Sequence, residues 1–242
     1  AGHSRPTASV RQITRVNLTT RFFRRALPLG SALALIACGG SSTGPRTGAY
    51  DIELIWLGTP PGTTTQESFE VAERRIEQTI VGPVQTVAIP PEVTNLSQCG
   101  LPGHPDIKRD NIPGLRIYAI VEPIDDVGGT LGSAGPCLIR NNDQPALGYM
   151  RFDSADLANL QSQGRLTQVV LHEMLHVVGI GTVWYDAFVD TTTNPSDVRY
   201  TGTAARAACV DDNGGAAACG TNVPIESAAG AGSRFSHWRE SV

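Results

Sequence analysis

Val170-Leu171-His172-Glu173-Met174-Leu175-His176-Val177-Val178-Gly179 is the stretch on which the fold turns. Leu166, Val169, Val170, Met174 and Val177 recur at helical spacing, the pattern of an amphipathic helix. Gly179 marks its end, where the chain must turn sharply. Residues four apart share a helix face, so the imidazoles of His172 and His176 can reach one metal ion. The apolar flanks would bury the pair, and buried polar groups need a partner.

Zinc accepts neutral imidazole nitrogen, and a catalytic zinc site supplies three protein ligands while leaving one position for water. Glu173 adjoins the first imidazole and is placed to act as general base toward that water. The expected cofactor is therefore one Zn2+, and the expected chemistry is hydrolysis without a covalent intermediate. A third ligand is required. In the HExxHxxGxxH form it is a His where this chain has Thr182, which excludes that form. The remaining choices are His237, the only His downstream of His176, and a carboxylate such as Glu226, around which no helical pattern is seen. His104, between Gly103 and Pro105, reads as an exposed loop residue.

Upstream of the helix the pattern alternates between strands and one further helix. Tyr50 to Leu57 reads as a first strand, and Phe69, Ala72, Ile76 and Ile80 recur at helical spacing across Gln66 to Ile80. Val84 to Ile89, Leu115 to Val121, Cys137 to Arg140 and Leu147 to Phe152 are four more expected strands, with the Gly-rich segment 128 to 135 as an irregular or edge element. Beyond Gly181 the chain is rich in loop residues, with one short helix expected at 202 to 208. Trp184 and Trp238 read as packing residues, and Asp211-Asp212-Asn213-Gly214 as a turn.

The N-terminal part has a different character. The first fifty residues contain no Asp or Glu, and Arg5, Arg11, Arg15, Arg21, Arg24 and Arg25 precede an apolar run from Ala26 to Ala37. A positive flank before a short hydrophobic segment is the polarity of an export signal, and the run is too short to span about 30 Å of hydrocarbon. Leu35-Ile36-Ala37-Cys38-Gly39 resembles the lipobox of bacterial lipoproteins, in which the Cys is lipidated, and the Gly/Ser-rich stretch after it reads as a tether. The expected organisation is thus a basic leader and signal segment (1–37), a flexible tether (38–49) and one catalytic domain (50–242). Cys38 would anchor the protein to the membrane of a bacterial cell envelope, on its periplasmic face or at the cell surface. Ala1 suggests a fragment or an over-extended reading frame.

Loss of the six leader arginines leaves 13 of the 19 basic residues against 23 acidic ones, a balance that argues against nucleic acid as a partner. Cys99, Cys137, Cys209 and Cys219 are an even set in an exported chain, which favours disulfides. Cys99 with Cys137 and Cys209 with Cys219 is the preferred pairing, because the second pair closes a short Gly/Ala-rich loop. A four-Cys metal site is the rival, weakened by the absence of CxxC spacing.

VEPIDDVGGTLGSAGPCLIR (121–140), GYMRFDSADL (148–157), LHEMLHVVGIGTVW (171–184) and GSRFSHWRESV (232–242), with HExxHxxG followed after a long insertion by a His in a Gly-rich context, resemble the leishmanolysin family of metzincin metallopeptidases. The similarity spans most of residues 50 to 242 and is closest to bacterial lipoprotein-type members. It implies an α+β, metzincin-like zincin catalytic domain: a mixed twisted sheet packed on the active-site helix, and a loop-rich C-terminal part. His172, His176 and His237 would be the zinc ligands and Glu173 the catalytic base of an endopeptidase acting on protein or peptide substrates. The cleft would run beneath an edge strand, expected at Thr130 to Ile139, with which an extended substrate pairs. The family also places a Met in a turn after the third His, whereas the only Met residues here are Met150 and Met174. A C-terminally incomplete domain is therefore expected. The alternative reading is a catalytically impaired surface lipoprotein that keeps the fold as a binding module, although such a module has no need of Glu173.

Overall fold

The structure is a computed structural model that describes residues 14–16, 50–82, 84–104, 107–184, 188–190, 194, 197–212, 219–228, 230 and 233–239. Cys38, the tether and the expected leader lie outside the described residues, except for Thr14–Val16.

Five strands form one mixed sheet: β1 (Thr14–Val16), β2 (Ile52–Trp56), β3 (Leu115–Glu122), β4 (Gly132–Arg140) and β5 (Pro145–Asp153), in the order β1-β4-β5-β3-β2. β2, β3 and β5 run parallel, while β4 returns antiparallel to β5. The parallel strands are rich in Ile, Leu, Tyr and Phe, as strands buried on both faces require.

On one face lie α1 (Thr63–Thr79) and α3 (Leu166–Val178), with the short α2 (Leu157–Ser162) leading into α3. Phe69, Ala72 and Ile76 of α1 and Leu166, Val170, Met174 and Val177 of α3 meet Ile117, Ala119, Met150 and Phe152 of the sheet in one core. Both methionines are thus core residues. The helix–sheet approach is close at Gly148, where a Cβ would stand 2.4 Å from Val177 Cγ1. On the opposite face a loop layer holding Val87, Val93, Leu96 and Leu101 covers Tyr118, Leu138 and Tyr149. Buried Arg140 pins this layer by donating to the carbonyls of Gln85 (2.7 Å), Pro145 (2.5 Å) and Gly114 (2.6 Å).

Downstream, β6 (Val189–Asp190), β7 (Arg199–Tyr200) and β8 (Val223–Pro224) form a small antiparallel sheet beside α4 (Thr203–Asp212). Disulfides join Cys99 to Cys137 and Cys209 to Cys219, the pairing expected from the sequence.

Two expectations need correction, and a third is narrowed. Val84 to Ile89 is not a strand; it makes one bridge, Val87 to Ile112, because its β-forming residues meet no continuous partner. Gly132 to Gly135, expected as an irregular or edge element, takes the edge form: it opens β4, and pairing with Tyr149 to Phe152 of β5 supplies the order that the glycines do not. β4 is also not free along its whole length: β1 lies against Leu138–Arg140, so among the described residues only Gly132–Pro136 lacks a strand on its outer side. The remaining elements fall within a few residues of their expected bounds, and among the described residues no helix is long and apolar enough to cross a membrane.

Candidate metal centre

α3 faces two ways. Val170, Met174 and Val177 enter the core, while His172 and His176, four residues apart, project from the other side, His172 the more exposed of the two. Gly179 ends the helix with φ 118°, and Ile180 N–H returns to the Leu175 carbonyl at 3.0 Å, a left-handed cap that glycine allows without a Cβ penalty. Thr182, excluded above as a ligand, closes the same end by donating its hydroxyl to the His176 carbonyl at 2.7 Å.

The turn brings the chain beneath the segment that carries His237. A Cβ on Gly181 (φ 79°) would lie 2.1 Å from the Ser236 carbonyl oxygen and 3.1 Å from His176 Cε1. No side chain fits there, so the two segments meet only because position 181 is glycine. The segment itself is a hairpin-like excursion: Glu226 N–H donates to the His237 carbonyl (2.9 Å), Phe235 N–H to the Glu226 carbonyl (2.7 Å), and Ile225 bridges to Trp238. Trp184 is buried and donates its indole N–H to the Phe235 carbonyl at 3.0 Å, and its ring meets that of Trp238 edge to face. Both tryptophans therefore pack, as the sequence suggested.

The result is a convergence of three imidazoles. The Nε2 atoms of His172, His176 and His237 lie 3.0 to 3.2 Å from one another. Nitrogen lone pairs set this close repel unless a proton or cation stands among them. Tetrahedral zinc with bonds of about 2.0–2.1 Å asks for ligands about 3.3–3.4 Å apart, so the spacing fits to a few tenths of an ångström. This trio is the one group among the described residues whose geometry could hold a metal ion. The outer nitrogens are engaged as well: His176 Nδ1 pairs with the Ile180 carbonyl (2.8 Å) and His237 Nδ1 with that of Ser233 (3.2 Å). Such bonds place the proton on Nδ1 and leave the Nε2 lone pair free to coordinate a metal. Burial, then the neighbouring His176 and His237, push His172 down to about 4, so it is neutral at pH 7, the form that binds metal.

Glu173 is buried beside the trio, 8% exposed, and burial pushes its carboxyl up to about 7. β4 passes directly over it: a Cβ on Gly132 would stand 3.2 Å from Glu173 Cγ. Glu226 does not join the group; its carboxylate accepts from Ala228 N–H at 2.6 Å. His104 is half-buried rather than exposed, 3.9 Å from the Glu122 carboxylate.

The sequence did not single out Gly181, Gly132, or the ion pairs that Asp197 makes with Arg199 and Arg239. The only local sign was the glycine two places past Gly179.

The leishmanolysin peptidase family model matches residues 111–242, more than half of the chain and all four quoted stretches. A search of curated proteins gave no significant match.

Proposed function

From the premise that this chain belongs to the leishmanolysin family of metallopeptidases, we propose that it is a zinc-dependent endopeptidase with His172, His176 and His237 as metal ligands and Glu173 as general base. The observation that carries the reading is the convergence of three Nε2 atoms within 3.2 Å beside a buried carboxylate. A zinc ion held there would lower the pKa of a bound water toward about 7 and polarise the scissile carbonyl.

The chain's own residues do the rest. Glu173, one position from His172 and shielded by β4, accepts the water's proton and returns it to the departing amine. Its burial disfavours the charged form and so raises the carboxyl's affinity for a proton, which makes the carboxylate a readier acceptor. Among the described residues the outer side of Gly132–Pro136 has no strand partner, and an extended peptide adding there, next to Glu173, would bring its carbonyl to the metal. Substrate specificity then begins with backbone pairing and is refined by side chains. The leader and Cys38 support export and lipid anchoring at a bacterial envelope, where disulfides persist.

The test is metal analysis together with Glu173→Ala. One zinc equivalent per chain, and casein cleavage lowered by a factor of about 10²–10⁴ in the variant, support the reading. A chain that binds no zinc, or a variant that cleaves as well as the parent, overturns it.

A further inference from the structure

His237 is sixty-one positions beyond His176, so helical geometry cannot place it. Its segment must be held by contacts of its own. Backbone bonds to Glu226 and Pro224 set its register, the Trp238 ring packs edge to face on that of Tyr200 of β7, and a charged side-chain contact also ties it to the small sheet. Two residues past His237, Arg239 donates from Nη2 to Asp197 Oδ1 at 2.8 Å and to the Ile225 carbonyl at 3.3 Å. The second carboxylate oxygen, Oδ2, accepts from Nε (2.9 Å) and Nη2 (2.7 Å) of Arg199 on β7. Arg199 in turn donates to the Asn222 carbonyl at 3.0 Å, just before β8. Asp197 thus gives one oxygen to each arginine and links β7 to the segment that carries His237. All three side chains are about 30% exposed, so the network is only partly screened.

We infer that Asp197 is a positioning residue for the metal centre: through Arg239 it holds His237 at the distance from α3 that a shared ion requires. The inference rests on the zinc reading above but concerns residues that touch no ligand. Partners that orient a metal ligand from outside its coordination shell change affinity by factors of about 10 to 100. A contact acting through the backbone stands at the low end of that range.

The experiment is zinc affinity of the full chain by chelator competition, read beside the thermal midpoint of the metal-free protein. Asp197→Asn, which keeps the shape, and Arg239→Met each weaken zinc by about tenfold. The double variant is little worse than either, because both remove one interaction. Arg239→Lys recovers part of the affinity. Arg199→Met shares the carboxylate but not the His237 segment and stays within about twofold of the parent. Equal affinity in parent, Asp197→Asn and Arg239→Met overturns the inference while leaving the zinc site standing. So does a loss in Arg199→Met as large as theirs, which would mean general loosening of the small sheet. A parent that binds no zinc overturns both readings.

Discussion

Gly132 stands where β4 passes over Glu173. A methyl group there would meet the Arg151 carbonyl oxygen at 3.0 Å as well as Glu173 Cγ at 3.2 Å, and the backbone of a paired strand cannot yield as readily as a side chain. Gly132→Ala should therefore push Glu173 aside. The expected result is kcat down by about tenfold, with zinc content and KM little changed, since a misplaced base costs on the order of 10²-fold or less in the chemical step. Gly135→Ala is the control on the same strand: its Cβ would meet Tyr149 Cε1 at 3.7 Å, ordinary contact on the face away from α3. Peptide-cleavage kinetics for the pair decide it, and equal kcat values would show that the carboxylate tolerates crowding.

Elements carry a different kind of cost. α1 packs through Phe69, Ala72 and Ile76, yet Glu73 is drawn toward the interface with them. Burial, then Glu77 and Glu70, raise its carboxyl to about 7. A folded-state pKa above the unfolded value means the folded chain holds the proton more tightly. Stability from this group is thus full below about pH 4 and is lost as pH rises through about 7. Glu73→Gln should raise the thermal midpoint at pH 8 by several degrees, on the order of 1–2 kcal/mol, and leave it unchanged at pH 4. Thermal unfolding at the two pH values checks this. Elements also show what a sequence can declare. α3 was legible because its period, its glycine stop and its HExxH all lie within fifteen residues. Val84 to Ile89 looked equally clear, but strand propensity means little without a partner, and the partner proved to be Ile112 alone. Gly132 to Gly135 was legible only as irregular or edge, and β5 decides between the two by imposing order on residues with little of their own.

At the scale of the molecule, the two disulfides close loops of different length. Cys99 and Cys137 are 38 positions apart and join the loop layer to β4, whereas Cys209 and Cys219 are 10 apart and close beside α4. By loop entropy the first contributes roughly 4 kcal/mol and the second roughly 3. Cys99→Ala/Cys137→Ala should lower denaturant stability by roughly 2–4 kcal/mol yet leave zinc stoichiometry at the parent value, because the bridge ties the loop layer to the far end of β4. Equilibrium unfolding alongside metal analysis tests both halves. The candidate site was legible in so far as its residue types are rare and repeated. His172, Glu173 and His176 announce themselves by spacing, and His237 by being the sole later His. What holds His237 in place was not legible. Asp197 and Arg239 are forty-two positions apart, and nothing in their local sequence records that a fold will bring them together.

The distance along the chain between the two halves of the trio also sets a clock. Synthesis at about 5–20 residues per second puts roughly 3 to 12 s between the emergence of His176 and that of His237. Throughout that interval the helix presents two imidazoles and no third. On the proposed reading, a nascent chain that has exposed His176 but not His237 still lacks one ligand of its metal. The proposed metal set is then completed by the closing of one short hairpin-like segment over a helix that has been waiting for it.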